Sequence, residues 1–143
     1  MTLEESSIFV NLKQLRIKLY SAQFKMTKAN RMIYGTPLMQ EVGNALAQFV
    51  LAFTVREKRV DYLEESIGHF TVLRLDLEFC IHEHIIQFRK RKVDKNGQPI
   101  PPENKEDMVN TEEIEIFRLV AKIDSDMCRW RASLSKGKTM YGG

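Results

Sequence analysis

Hydrophobic residues recur along this chain at alternating intervals of four and three, a spacing that places them on one side of an α-helix. The first series consists of Ile8, Leu12, Leu15, Leu19, Ala22, Met26, Ala29 and Ile33. Three similar series follow, and no segment shows the period of two that is typical of a strand. Because each hydrophobic stripe needs a cover, four stripes predict four helices around a common core.

Turn and capping signals give approximate bounds for these helices. Gly35 suits the left-handed position that ends many helices, and Thr36 followed by Pro37 suits the start of the next one. The predicted helices cover about 4–34, 37–58, 61–92 and 111–135.

The stretch 93–110 contains Asn96-Gly97 and three prolines, a composition that no helix tolerates and that predicts one long loop. Residues 136–143 are predicted to form a mobile tail. Because the other two connections are short, neighbouring helices should be antiparallel. The expected fold is therefore a single all-α domain, 1–143, an up-down antiparallel four-helix bundle with the long loop between the third and fourth helices.

The bulk properties of the chain favour a soluble cytoplasmic protein without membrane association. A length of 143 residues is enough to bury one core without metals or disulfides. Its two cysteines, Cys80 and Cys128, form no disulfide framework, as expected in a reducing compartment. The N-terminal residues lack the pattern of a signal peptide, and no apolar run approaches the roughly 18 residues of a spanning helix.

The formal net charge is only +3, but the charges are unevenly distributed. No acidic residue occurs between Glu5 and Glu41, and this interval contains Lys13, Arg16, Lys18, Lys25, Lys28 and Arg31. At about 100° per residue these cations lie opposite the hydrophobic stripe of the first helix. Exposed helices ordinarily mix both signs of charge, so this acid-free face is a candidate surface for a polyanion.

Apolar side chains interleave with these cations on the outward half of the first helix: Phe9, Ile17, Tyr20 and Phe24. Such residues fit either a subunit interface or a surface on which nucleic-acid bases stack. Both uses remain open. We assign the same four residues to a candidate subunit interface together with Arg74, a cation within the inner stripe of the third helix that needs a partner or a subunit boundary.

Further cations extend the candidate nucleic-acid-binding set: Arg56, Lys58, Arg59, Arg89, Lys90, Arg91, Lys92, Arg129, Arg131, Lys136 and Lys138. We expect the basic end of the third helix to lie near the start of the first, and that of the fourth near Arg31 and Arg59. The alternative is an ordinary solvated surface with cations at helix C-termini. Acids of the predicted fourth helix could also balance the first helix: Glu112, Glu113, Glu115, Asp124 and Asp126.

Metal binding and catalysis are weakly represented. Cys80 and His84 are four residues apart and could share an ion, but zinc would need two more ligands, for which Asp124 and Cys128 are the candidates. The alternative is a buried thiol beside a half-buried histidine. There is no phosphate-binding loop and no nucleophile motif. We therefore predict a non-enzymatic protein with no metal and no cofactor.

The third and fourth helices resemble a known family. The features are Gly68, Leu73-Arg74 and Phe79 within the stretch 65–79, and Trp130 followed by basic residues and a Gly/Lys-rich tail. In these the chain is similar to the small four-helix-bundle proteins that include the accessory variability determinant of diversity-generating retroelements. The same family includes proteins encoded in intervening sequences of bacterial 23S ribosomal RNA genes.

The resemblance implies a basic, pentameric, barrel-like ring that associates with the reverse transcriptase of the element. It also implies binding of RNA, DNA or both, in support of mutagenic cDNA synthesis. The residues carried over are Arg74, Trp130, Lys136 and Lys138. The Pro-containing loop after Lys92 and the modest net charge depart from the family. They favour as an alternative a structural bundle of the rRNA intervening-sequence type that docks an acidic protein.

Overall fold

The structure, a computed structural model, describes residues 1–88, 95–98 and 111–140, with backbone alone for 136–140. Four main helices account for most of these residues, and no strand occurs in the described ranges. They are α1 (Ser7–Gln23), α2 (Thr36–Thr54), α3 (Arg59–His82) and α4 (Thr111–Met140). The prediction of an all-α protein with four helices is confirmed.

Short helical pieces connect the main helices. A 3₁₀ turn, Leu3–Glu5, precedes α1, and the Thr2 N–H donates a hydrogen bond to the Glu5 carboxylate at 3.2 Å. A helical turn, Lys28–Asn30, and a π-helical segment, Arg31–Gly35, lead into α2. A second 3₁₀ turn, Arg56–Lys58, joins α2 to α3.

The first helix ends at Gln23, so the prediction that it continues to residue 34 is wrong. Thr27 has an extended backbone, and its hydroxyl accepts a hydrogen bond from the N–H of Asn30 at 3.2 Å. This N-cap starts a new helical segment, because it satisfies donors that have no partner within the helix. Ala29 and Ile33 continue the hydrophobic spacing only in sequence, since both are exposed.

The prediction that Gly35 ends a helix is wrong. Gly35 lies inside a helical segment, with φ −67° and ψ −46°. Glycine is needed here because a Cβ would lie only 3.3 Å from side-chain atoms of Gln23, Met26 and Arg31. The absence of a side chain thus allows the segment leading into α2 to pack closely on the end of α1. Thr36 is likewise helical rather than a cap, and the wide π-turn stands directly before Pro37, which lacks a backbone donor.

The third helix ends at His82, ten residues before its predicted end at 92. His84 adopts a left-handed conformation, φ 57°, which breaks the helix, and the N–H groups of Ile85 and Ile86 both reach back to the Cys80 carbonyl. Ile86 is then buried, and the N–H of Gln87 bonds to the Lys25 carbonyl at 3.0 Å. After α3 the chain therefore folds over the end of α1.

Arg59 accounts for the early end of α2, at Thr54 instead of 58, and for the start of α3 two residues before the predicted 61. Its Nε donates to the Ala52 carbonyl and its Nη2 to the Phe53 carbonyl, each at 2.8 Å. These carbonyls lie at the end of α2, where no helical N–H is available to them. A single side chain from the next helix thus satisfies this end and fixes the corner between α2 and α3.

The remaining predicted bounds differ at the C-terminal side. The fourth helix continues to Met140, so the predicted tail is helical from 136 to 140, and 141–143 lie outside the described residues. Of the predicted loop 93–110, only residues 95–98 are described. They form a turn in which Gly97 has φ 76°, as the Asn96-Gly97 signal indicated.

One core lies between the four helices. The main contacts join α1 to α2, α2 to α3, α3 to α4 and α4 to α1, so α1 and α3 occupy opposite corners. The first predicted stripe enters this core from Ile8 to Met26, through Leu12, Leu15, Leu19 and Ala22. The largest fully buried side chains of the core are Phe49, Phe70, Leu12, Leu15, Leu19, Leu63, Leu73, Leu77, Ile116, Ile123, Met127 and Val42.

The contact between α2 and α3 is the most extensive of the four. Ala45 and Ala52 of α2 are completely buried there, and so is Ser66 of α3. The Ser66 hydroxyl donates to the Ala45 carbonyl at 2.7 Å, so a buried polar group is satisfied between the helices. Small residues on both sides allow the two helices to approach closely.

No single helix among the described residues combines the length and hydropathy needed to cross a membrane. The sharply bent pair Lys28–Thr54 and Arg56–His82 meets that test by length and composition.

Truncation of Ile123, which is fully buried, should lower the stability of the bundle strongly. Ile123→Ala is expected to reduce the free energy of unfolding by about 2–5 kcal/mol, because it removes apolar contacts and leaves a cavity. Urea denaturation followed by circular dichroism measures the change. Ile114→Ala on the same helix is the matched control: Ile114 is 42% exposed, and a change of about 0.5 kcal/mol or less is expected. Equal losses for the two variants would contradict the described core.

Candidate nucleic-acid and subunit interface

A second helical stripe runs along the solvent side of α1, opposite the buried one. It consists of Val10, Lys13, Ile17, Tyr20 and Phe24, again at intervals of three and four. The exposed fractions of Ile17, Tyr20 and Phe24 are 66%, 58% and 59%, so large apolar side chains lie in solvent here. We call these five residues the outer stripe of α1. The sequence had already singled out four of them, Lys13 as a cation and the other three as outward apolar residues, and Val10 was missed although the spacing includes it.

Phe9 does not belong to this exposed surface, contrary to the prediction. It is half-buried and packs against the core. The Lys13 ammonium lies 5.1 Å from the centroid of its ring. The physical reason is its position on the wheel: Phe9 lies at the edge of the buried stripe, where a large ring reaches the core.

Aromatic and cationic side chains meet at the end of α1. The rings of Tyr20 and Phe24 pack edge to face, with centroids 5.5 Å apart. The guanidinium of Arg31 lies 4.9 Å from the Phe24 centroid, and its Nε donates to the Gln23 carbonyl at 3.2 Å. Arg31 thus closes the C-terminal end of α1 and carries a cation–π contact besides.

Two of the six cations of the acid-free interval are paired with α4. The Lys18 ammonium is 2.6 Å from Glu115, and the Lys25 ammonium is 3.7 Å from Glu112. Compensation by acids of the fourth helix, left open by the sequence, therefore occurs at these positions. Both pairs are partly exposed, so solvent screens them and their contribution to stability is small.

The unpaired cations define a narrower basic surface than the sequence suggested. Within the described part of the chain, Lys13, Arg16 and Lys28 form no ion pair with a carboxylate, and all three are exposed. Arg16 lies on the side of α2, where its Nη2 would be 3.8 Å from a Cβ on Gly43. Lys28 begins the helical turn that follows α1. These three side chains are available to an anionic partner.

The end of α3 lies beside the end of α1, since the Gln87 N–H bonds to the Lys25 carbonyl. The expectation that it lies near the start of α1 is therefore wrong. The basic residues predicted to follow lie outside the described residues: Arg89, Lys90, Arg91 and Lys92.

Most cations near the end of α4 are engaged within the bundle. The guanidinium of Arg59 lies over the ring of Trp130, 5.6 Å from its centroid. The end of the fourth helix therefore lies near Arg59, as predicted. Arg131 donates from Nε to Glu64 at 2.9 Å, and Arg129 is 3.7 Å from Asp126.

Arg31 is not part of this cluster, contrary to expectation, because it packs at the end of α1. Arg56 and Lys58 are exposed at the corner between α2 and α3. The backbone at Lys136 and Lys138 is helical, and their side chains lie outside the description.

The outward side of α3 carries a stripe of its own, which the sequence analysis did not identify. Gly68, Val72, Leu75 and Phe79 follow one another at intervals of four, three and four. The exposed fractions of Val72, Leu75 and Phe79 are 46%, 55% and 48%. We call these four residues the outer stripe of α3. The same spacing rule that revealed the core could have revealed this stripe.

Acidic residues surround the outer stripe of α3. The helix contains Asp61, Glu64, Glu65, Asp76 and Glu78, and no lysine occurs between Lys58 and Lys90. Arg74 is half-buried on this helix, and its Nε is buried without a hydrogen-bond partner among the described residues. The predicted need of Arg74 for a partner is therefore not met within the described chain.

Cys80 does not form a metal site with His84. Burial, with a smaller effect of Asp76, raises the pKa of the Cys80 thiol to about 11, so the thiolate that would bind a metal is disfavoured. His84 lies beyond the helix end and is exposed, so the helical spacing of the pair is lost. Among the described residues, no three His, Cys, Asp or Glu side chains group in a way that could hold a metal ion.

The chain matched no family model, no curated protein and no solved structure.

The Lys18–Glu115 pair should lower the pKa of one carboxyl, that of Glu115. The hydrogen bond and charge of Lys18 lower the pKa of Glu115 below its ordinary value of 4.5. A lowered folded-state pKa stabilises the fold above the pKa of the unfolded chain, and this contribution is lost as the pH falls through the folded-state value. Lys18→Gln is expected to raise the pKa of Glu115 toward 4.5, measured by NMR titration of its carboxyl carbon.

Lys25→Gln is the control, since Lys25 pairs with Glu112 instead. It should leave the Glu115 titration unchanged. A Glu115 pKa that does not respond to loss of Lys18 would show that the two side chains do not pair in solution.

Proposed function

We propose that this chain is a non-enzymatic nucleic-acid-binding accessory protein of a diversity-generating retroelement, which assists its reverse transcriptase in mutagenic cDNA synthesis. The observation that carries the proposal is the acid-free surface of α1, where exposed cations without an internal carboxylate stand beside exposed aromatic rings. Ordinary solvation does not require such separation of charges by sign.

Binding would rest on phosphate contacts. Lys28, beyond the end of α1 and outside its outer stripe, has no carboxylate partner among the described residues, and the neighbouring Lys25 could exchange its weak contact with Glu112 for one with a phosphate. Phosphate contacts release counterions, so affinity should fall steeply with salt and depend little on sequence. The exposed rings of Tyr20 and Phe24 have two possible uses, base stacking or subunit contact, and the proposal does not depend on which of them applies.

The proposed topology is the up-down antiparallel bundle. It is supported by the order of contacts along neighbouring helices. Ser7, at the start of α1, bonds to Asp126 of α4, whereas Lys25, just beyond the end of α1, pairs with Glu112 at the start of α4. The contacts between α2 and α3 run in opposite order in the same way. Glu41, early in α2, contacts His69 of α3, whereas Ala52, late in α2, contacts Arg59 at the start of α3.

The partnership with a reverse transcriptase rests on the family resemblance, as does assembly into a pentamer. Trp130 is one of the residues that the resemblance singles out. Its ring packs against that of Phe49, with centroids 5.6 Å apart, and lies beneath Arg59, so its role is structural. Arg74 retains an unsatisfied Nε, consistent with a boundary between molecules. A reverse-transcriptase gene beside the gene for this chain is the direct genomic sign of the proposed partner.

The alternative is a structural bundle of the rRNA intervening-sequence type that docks an acidic protein. The same unpaired cations favour it, because carboxylates and phosphates both attract them. The two functions differ in which competitor displaces the bound partner. A bound nucleic acid should be displaced by single-stranded homopolymers at low concentration. A bound acidic protein should be displaced by poly-glutamate as well as by the homopolymers.

Removal of two cations at the end of α1 tests nucleic-acid binding. Lys25→Gln combined with Lys28→Gln should weaken binding of a fluorescein-labelled single strand and lower the slope of log affinity against log salt by about 1.4, since each lost phosphate contact on a single strand removes about 0.7. Fluorescence anisotropy across a salt series, with both RNA and DNA, measures the slope.

Lys122→Gln is the matched control. Lys122 is already paired with Asp126 at 3.2 Å on α4, so affinity and slope should remain those of the wild type. If wild-type protein shows no salt-dependent binding of either RNA or DNA, the nucleic-acid function is wrong. If the double variant binds as the wild type does, this part of the basic surface is not the site.

A further inference from the structure

We infer that the outer stripe of α1 docks onto the outer stripe of α3 of a second copy of this chain. The contact is head-to-tail, with different surfaces of the two copies in contact. The inference deepens the proposed homo-oligomer, on which it rests, by identifying the two surfaces that meet. It does not depend on nucleic-acid binding.

The two stripes match in kind and in length. Each has three large apolar side chains that are between 46% and 66% exposed: Ile17, Tyr20 and Phe24 on one, and Val72, Leu75 and Phe79 on the other. At 1.5 Å per residue, the stripes extend about 21 Å and about 17 Å along their helices. Both have the alternating spacing of three and four by which one helix packs against another. Contiguous apolar surface of this kind usually marks an interface.

The charges around the stripes are complementary. The α1 side contains cations and no acid from residue 6 to residue 40, whereas α3 carries five carboxylates, of which Glu64 pairs with Arg131, and its two cations are Arg59 at its start and the half-buried Arg74. Two copies of α1 facing each other would bring like charges together, and so would two copies of α3. The α1-to-α3 arrangement alone brings opposite charges together around both apolar stripes. Electrostatics therefore select the second copy's α3 as the occupant of the α1 surface.

Gly68 gives the contact a point of close approach. It lies in the interior of α3, is exposed, and has no atom within 4 Å of the position of a Cβ. A glycine at such a position costs about 1 kcal/mol relative to alanine, and no packing within the described chain explains it. A helix of a neighbouring copy that packs over Gly68 would explain why this position has no side chain. Gly35 plays the same role in close packing inside the bundle.

The positions of the helices determine the symmetry. Because α1 and α3 occupy opposite corners, one copy presents the two surfaces in opposing directions. A dimer joined by this contact leaves one α1 stripe and one α3 stripe uncovered. Association therefore continues beyond two copies, either into a closed ring or into an open chain.

Charge reversal on each surface tests the inference. Variant A carries Lys13→Glu and Arg16→Glu on α1, and variant B carries Glu65→Lys and Asp76→Lys on α3. Each variant alone brings like charges together and should have a mass close to the 16.7 kDa of one chain, against a wild type larger than a dimer. Light scattering after size-exclusion chromatography of nuclease-treated protein measures the mass, so nucleic-acid binding has no influence on the result.

Rescue distinguishes this contact from other modes of association. Mixing A with B should restore high mass, because the acidic α1 of A meets the basic α3 of B and the unaltered surfaces also match. Combining all four substitutions in one chain should restore self-association as well. Wild-type protein that remains a monomer or stops at a dimer at the highest concentration would overturn the inference, as would failure of both rescues in variants whose circular dichroism matches the wild type.

A second pair of variants tests the contact without changing charge. Gly68→Trp should reduce the mass to that of one chain, because the indole fills the space needed by the approaching helix. Ala121→Trp, at an exposed position of α4, is the control and should associate as the wild type does. Assembly of Gly68→Trp at wild-type mass would show that nothing seats over α3. Either result is independent of whether RNA or DNA binds.

Discussion

The close contact between α2 and α3 is the interaction on which the rest of the structure depends. Alanines and a serine on the facing sides allow the helices to pack closely, and the Ser66 hydroxyl donates a hydrogen bond to the Ala45 carbonyl. At the corner, Arg59 takes over the carbonyls at the end of α2. Because this pair forms a wide apolar surface, α1 and α4 can each cover it from one side and meet each other. The positions of α1 and α4, and hence the outward surfaces, follow from that helix pair.

Charge is sorted by sign on α1, which has only cations, and largely on α3, whose charges are mostly acidic, whereas α4 mixes both signs in pairs such as Lys122 with Asp126. Where α1 and α4 are neighbours, the sorting is used internally, through Lys18 with Glu115 and Lys25 with Glu112. Apart from Glu64, which pairs with Arg131 of α4, the charges on the outward sides of α1 and α3 form no ion pair within the described residues. The molecule therefore has two opposed surfaces of opposite sign, each with an apolar centre. A polyanion would meet only one of them, whereas a second copy would meet both.

The core was predictable because burial depends on a periodic pattern that local sequence records. Helix ends were less predictable, since several local signals compete there. Thr27 caps a segment whose spacing continues that of α1, and Gly35 is needed for close packing rather than for a turn. The end of α3 depends on the left-handed His84, which no spacing rule reveals. The acid-free interval was evident in sequence, but which of its lysines find carboxylates on α4 depends on the packing of distant segments.

Trp130 gives the fold a built-in spectroscopic reporter. It is the only tryptophan of the chain, and its ring packs against Phe49 of α2 beneath the guanidinium of Arg59. Its emission therefore reports whether α4 is seated on the α2–α3 corner, whereas far-ultraviolet circular dichroism reports total helix. Separation of α4 from an intact hairpin would change the first signal before the second. Cooperative folding of all four helices would make the two signals change together.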